Sequence, residues 1–179
     1  MRMDRQSKVS AYEVINRYSE EQLSQMFLEY GELRQAPAIA RTIVAYRSQN
    51  KIKTSDQLKM ALNRFLNHKK ENKVLAQIYQ AIRIEVNQEL EVLKEFLLQI
   101  PEVLKPSGRI SLISYHSLED RLVKRFIRNG LFEGEPERDM FGHYEVPLRK
   151  IGGLIIPSEA EISQNNRARS AKLRIAEKL

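Results

Sequence analysis

The sequence predicts an α/β protein in which a short, incomplete β-sheet accompanies a small all-helical subdomain. Three observations carry that expectation. A long amphipathic helical pattern runs into the turn Leu104-Lys105-Pro106-Ser107-Gly108-Arg109 and then into the mainly apolar run Ile110-Ser111-Leu112-Ile113-Ser114-Tyr115. Helix, turn and apolar strand in that order suit a parallel sheet whose strand is covered on both faces. Two more strand patterns follow, at Gly153 to Ile156 and at Ala171, Leu173 and Ile175 alternating with Lys172 and Arg174. The residues before about 70, in contrast, read as helices alone.

Those helices have legible boundaries. Ser10 with Glu13, Ser19 with Gln22, and Thr54 with Gln57 have capping-box spacing, in which a hydroxyl satisfies an orphan amide and the third residue reaches back. They open helices near 11–17, 20–30 and from 55 onward, the second with Leu23, Met26, Phe27 and Tyr30 on one face and Gly31 as its left-handed end. Pro37 suits the first turn of a helix through Ile39, Ile43, Val44 and Tyr46. After the polar stretch Asn67 to Lys73, Leu75, Ile78, Ile82, Val86, Leu90, Leu93 and Leu97 predict one helix over 74–99 that breaks at Pro101. Ser117 and Asp120 have the spacing of an N-cap for a helix at 118–129 ended by Gly130, the segment 131–149 reads as a long loop, and Ser158 to Glu161 reads as a capped short turn. Three strands in the whole chain are too few for a complete parallel sheet.

Composition narrows the function. The 179 residues hold 30 Lys+Arg against 23 Asp+Glu, a formal net charge of +7, which favours polyanionic partners and nucleic acid first. There is no Cys, hence no disulfide framework, cysteine nucleophile or thiolate metal site. No apolar run approaches the roughly 18 residues of a membrane span, and Met1 to Ser10 is polar, so the expectation is a soluble cytoplasmic protein without membrane contact.

Arg121, Lys124, Arg125 and Arg128 recur at helical spacing opposite Leu118, Leu122, Val123, Phe126 and Ile127, and such single-sign stripes suit phosphate contacts as well as solvent. Arg167, Arg169, Lys172 and Arg174 form a second basic cluster. Tyr115 and His116 lie at the carboxyl end of the best strand, where open α/β sheets bind ligands, so they are pocket candidates, while Ser117 is explained as a cap. His116 with Glu119 and Asp120 is too weak a set to imply a metal, and none is expected. His68 and His143 read as surface residues, and Arg83 as snorkelling or ion-paired.

The string Gly108 to Arg128, G-R-I-S-L-I-S-Y-H-S-L-E-D-R-L-V-K-R-F-I-R, resembles the RsmH (MraW) family of S-adenosylmethionine-dependent methyltransferases of small-subunit ribosomal RNA. Met1-Arg2-Met3-Asp4, Tyr18-Ser19-Glu20-Glu21, Tyr30-Gly31-Glu32, Ile39-Ala40-Arg41, Tyr79-Gln80-Ala81-Ile82-Arg83-Ile84 with Asn87, and Asn166 to Arg174 are similar to further segments of that family. The resemblance implies the C-terminal part of a Rossmann-like class I methyltransferase: 1–9 a remnant of the upstream catalytic segment, 10–73 a helical insertion, 74–179 the C-terminal half of the catalytic domain. It implies methylation of the exocyclic N4 amine of a cytosine in 16S ribosomal RNA, with the RNA or the 30S subunit as partner and S-adenosylmethionine as donor. Asp4 and Arg2 would line the active site. None of the seven glycines sits in a strand–turn–helix context, so the donor-binding residues are expected upstream of Met1 and the 179 residues alone are expected to be inactive. The competing expectation is a non-catalytic RNA-binding module that kept the basic surface. Ser107 stands where the family commonly has Gly, and Leu33 where it commonly has an acidic residue.

Overall fold

The computed structural model describes residues 1–4, 6, 8–66 and 71–179, which form two compact units, Met1–Glu89 and Leu90–Leu179. His68 lies outside the described residues.

The first unit is helical among its described residues: α1 (Ala11–Arg17), α2 (Glu20–Glu29), α3 (Ala36–Gln49), α4 (Ser55–Ala61), a 3-10 turn (Asn63–Phe65) and α5 (Glu71–Asn87). Its core is the apolar faces read from the periodicity, with Leu23, Phe27, Ile39, Ile43, Leu62, Ile78 and Ile82 almost fully buried. The helices of 10–73 thus share this core with α5. Ser19 with Gln22 and Thr54 with Gln57 form complete capping boxes, but the Ser10 hydroxyl is turned onto the Glu13 carboxylate and caps no amide. Polar side chains close what the helices leave open. Asn16, buried, donates to the Ile52 carbonyl at 2.8 Å and accepts from its amide at 3.0 Å. Gln77 and Gln80 on α5 donate to the carbonyls of Gly31 and Tyr30, at 2.8 and 3.0 Å, satisfying orphan acceptors at the end of α2.

Two boundaries differ from expectation. The left-handed residue after α2 is Glu32 (φ 50°), not Gly31. Gly31 is required by space instead, since a Cβ there would lie 2.7 Å from the Phe27 carbonyl oxygen and 3.2 Å from that of Gln77. The single helix expected over 74–99 is two, because Gln88 takes φ 50° between α5 and α6 (Glu89–Val103). Arg83 is ion-paired there, with Nε 2.9 Å from Glu89 Oε1 and a second nitrogen 3.0 Å from Oε2. Pro101 does not end α6 but sits inside its last turn, where it removes one amide donor while Leu104 still donates to Ile100 at 3.1 Å.

The second unit carries the sheet: α6, β1 (Arg109–Ser114), α7 (Ser117–Asn129), β2 (Leu148–Ile155), α8 (Glu159–Gln164), a 3-10 turn (Asn166–Ser170) and β3 (Lys172–Lys178). The strand order is β1-β3-β2 and both pairings are antiparallel, so β1 and β2 run the same way on either side of β3. Direct parallel neighbours, expected from the apolar run at 110–115, do not occur among the described strands, because strand direction is set by the return of β3 and not by local pattern. The expected double burial of β1 fails as well. Ile110 and Leu112 pack against the cluster of Leu97, Ile100, Val123, Phe126, Ile127, Leu148 and Ala176, whereas Arg109, Ser111 and Ile113 are exposed on the other face. Among the described residues β1 has one strand neighbour, so the sheet is mixed with helices but small, as the strand count implied. No described helix is long and apolar enough to cross a membrane.

Candidate functional site

The site candidates of the second unit lie on the β1–α7 connection, on α7, on the 3-10 turn before β3 and on β3. The β1–α7 connection is Tyr115-His116, and the cap is His116, not the expected Ser117, which becomes the first helical residue. The Glu119 amide donates to His116 Nδ1 at 3.4 Å, and Glu119 Oε2 accepts from the amides of Tyr115 at 2.8 Å and His116 at 3.4 Å. The same H-S-L-E string admitted this reading, since His116 and Glu119 also stand three apart. With Nδ1 accepting, a neutral ring carries its proton on Nε2, which lies 3.2 Å from Glu119 Oε1 but off the line of a hydrogen bond. The His116 side chain is 9% exposed, while Tyr115 is 57% exposed. Burial works to raise the Glu119 pKa, yet the adjoining His116 ring and the Tyr115 amide outweigh it and hold the carboxyl below the usual range.

Asp120 is not a cap partner. It is buried and faces β3, where Arg174 Nε lies 2.7 Å from Oδ1 and its second nitrogen 3.2 Å from Oδ2, with Lys172 Nζ 3.3 Å from Oδ2. Burial opposes ionisation of Asp120, but the hydrogen bonds and charges of Arg174 and Lys172 prevail and its pKa is lowered. Glu177 repeats the arrangement on the other sheet face. It accepts from Arg109 Nε at 2.8 Å and from Arg149, so one carboxylate joins β1 and β2 across β3, and the arginine hydrogen bonds lower its pKa.

These pairs sort the basic candidates. Lys172 and Arg174 are engaged with Asp120. Arg125, half-buried, donates to the Gly134 carbonyl and so ties α7 to the following loop. Arg128 donates from Nε to Asn129 Oδ1 at 2.9 Å and is exposed, as are Lys124 one turn before it and Arg121 one turn before that. Arg167 and Arg169 are exposed on the 3-10 turn before β3. Asp4 belongs to the first unit, exposed, with Oδ1 accepting from the Gln6 amide at 2.8 Å. Sequence reading missed Lys150. It stands opposite Ala176 in the β2–β3 register and lines a cleft with Lys124, Arg128 and Arg174, and only the pairing of β2 could have revealed it.

The second unit is a mixed α/β unit with a small three-stranded antiparallel sheet, β3 central, an arrangement consistent with part of a methyltransferase fold. The family model described as the MraW methylase family matches residues 1–179, and the chain belongs to that family. Curated relatives include the ribosomal RNA small subunit methyltransferase H of Christiangramia forsetii, 68% identical over 179 residues, covering 100% of this chain and 59% of that protein. Its namesakes in Flavobacterium johnsoniae and in Bacteroides fragilis are 62% and 46% identical, over 100% and 99% of this chain and 59% of each relative. The chain therefore spans about 59% of the length of the relatives it matches.

Proposed function

We propose that this chain is the RNA-facing and sheet-closing portion of a methyltransferase that transfers a methyl group from S-adenosylmethionine to the exocyclic N4 amine of a cytosine in small-subunit ribosomal RNA. The match to the family over all 179 residues is the observation that carries this reading. In this proposal 10–73 is a helical insertion in the catalytic domain, 74–179 is that domain's C-terminal half, and the protein works in the cytoplasm on the RNA or the 30S subunit.

The residues described here do not fit a donor cradle. The one strand-to-helix turn of the second unit that follows β1 is Tyr115-His116, and the glycines lie at helix ends, in the 131–147 loop, before β1 or within β2. Close approach of backbone to a nucleoside calls for glycine at such a turn. The chain's own part is then on the RNA side. Transfer to an amine is governed by placing its lone pair in line with the methyl group, so rigid positioning of the base supplies most of the acceleration. A base must leave its stack to be so placed, and cations holding the flanking phosphates supply that energy. Lys124, Arg128, Arg121, Arg167 and Arg169 are proposed for those phosphates, with Arg125, Lys172 and Arg174 holding the frame behind them. Tyr115, at the tip of β1 and exposed, and His116 are proposed for the base pocket, and Asp4, in the first unit, is proposed as a separate candidate for contact with the base.

The lack of a donor cradle also favours a second reading, a non-catalytic RNA-binding module. The test is incubation of the chain with 30S subunits and methyl-labelled S-adenosylmethionine, alongside binding to small-subunit RNA at several salt concentrations. Label in the RNA supports the first reading. Binding that weakens steeply with salt but without label supports the second, and no binding at low salt overturns both.

A further inference from the structure

The structure assigns a phosphate-group site to the cleft between α7 and the β2–β3 pair, an assignment that rests on the RNA reading above and places one backbone phosphate of that RNA. Four cations from three elements meet there: Lys124 and Arg128 from α7, Lys150 from β2 and Arg174 from β3. No carboxylate lines the cleft. Arg174 is answered by Asp120 behind it, but among the described residues no carboxylate pairs with Lys124, Arg128 or Lys150. Lys124 and Arg128 are four apart on one helix, a like-charge spacing that works against the helix until an anion lies between them.

Ile127 and Ile175 line the cleft beside the cations, and low-dielectric apolar lining strengthens the attraction of cations for an anion. Gly153 also lines it, next to Gly152 (φ 65°), where the β2–β3 register slips between the Ile151↔Ile175 and Ile155↔Leu173 pairs. Bulges of this sort bend an edge strand and re-aim its side chains. Size decides the ligand class. The cleft's volume is about 180 Å³, below the roughly 300 Å³ at which small-molecule pockets begin, a size that suits a phosphate group and not a whole nucleotide.

The test compares RNA binding by the full chain, its Lys124→Gln/Lys150→Gln variant and a Lys51→Gln/Lys105→Gln control that removes the same charge from exposed lysines outside the cleft. The probe is small-subunit ribosomal RNA, titrated across salt, with circular dichroism to confirm folding. The cleft variant should bind about tenfold more weakly at low salt and lose about one unit of the salt slope for one phosphate contact. The control should lose less than half of that slope. Equal losses in the two variants overturn the phosphate site while leaving the RNA reading intact, whereas failure of the unmodified chain to bind overturns the RNA reading itself. A further arm adds inorganic phosphate at constant ionic strength. Saturable phosphate binding to the unmodified chain, with RNA affinity of the cleft variant equal to the control, assigns the cleft to a free anion and overturns the proposal.

Discussion

At the scale of single residues, the second unit is fastened by carboxylates that each hold two cations. Asp120→Asn leaves Arg174, whose side chain is 12% exposed, without its counter-charge. The expected loss is about 3 kcal/mol in urea denaturation, at the low end for breaking a buried pair because Lys172 is partly solvated. The pH dependence has a definite sign. The pKa values of Asp120, Glu119 and Glu177 are all held below the ordinary carboxylate values in the folded state by their hydrogen bonds and neighbouring cations. The unfolded chain thus takes up protons first, and the stabilisation these groups give is present above about pH 5 and lost as pH falls through the depressed folded values. Asp120→Asn should flatten that fall, and an unchanged acid profile would refute its assignment. His116 allows capping to be separated from any role at the base: His116→Ala should cost about 1 kcal/mol, while His116→Asn, a good cap, should recover most of it. Methyl transfer lost in the Asn variant at normal stability would place His116 among the groups that touch the base.

At the scale of elements, local chemistry was readable where one residue type has one physical use. The capping boxes at Ser19 and Thr54, Pro37 early in α3, and Gly130 in the left-handed conformation (φ 70°) after α7 all occur as their residue types require. Where a position admits two uses, pattern alone chose wrongly. Ser117 and His116 both stand at the start of the α7 segment with an acidic residue three later, and only packing, which turns Asp120 toward Arg174, selected His116 as the cap. Periodicity carries on through Gln88 because its apolar neighbours keep helical spacing, while the backbone turns left-handed there. Ser107 shows the converse. It takes φ 63° in the turn before β1, with its amide donating to the Lys178 carbonyl at 3.0 Å, a left-handed conformation that favours glycine. Ser107→Gly should therefore raise stability by about 1 kcal/mol in thermal or urea melts by removing the left-handed penalty, and a destabilised variant would disprove the strain.

At the scale of the whole molecule, each unit has a hydrophobic cluster of its own. Phe27→Ala, at a fully buried position of the first cluster, should cost about 3–5 kcal/mol, and hydrogen exchange should show the loss over Met1–Glu89 with protection of β1 and β3 amides retained. Loss of protection in both strands would show that the units unfold together. The sequence by itself determined the helical first unit, β1, β3 and the far end of β2, whose start at Leu148 lay in the expected 131–149 loop, together with the excess of positive charge and the family, because apolar period, caps and motif strings are properties of neighbours along the chain. The tertiary structure alone decided the antiparallel order β1-β3-β2, the exposure of one face of β1, the commitment of Lys172 and Arg174 to Asp120, and the meeting of Lys150 with Lys124 and Arg128. Each of these depends on which strand lies beside which, and hydrogen bonding between distant segments settles that where no local pattern can.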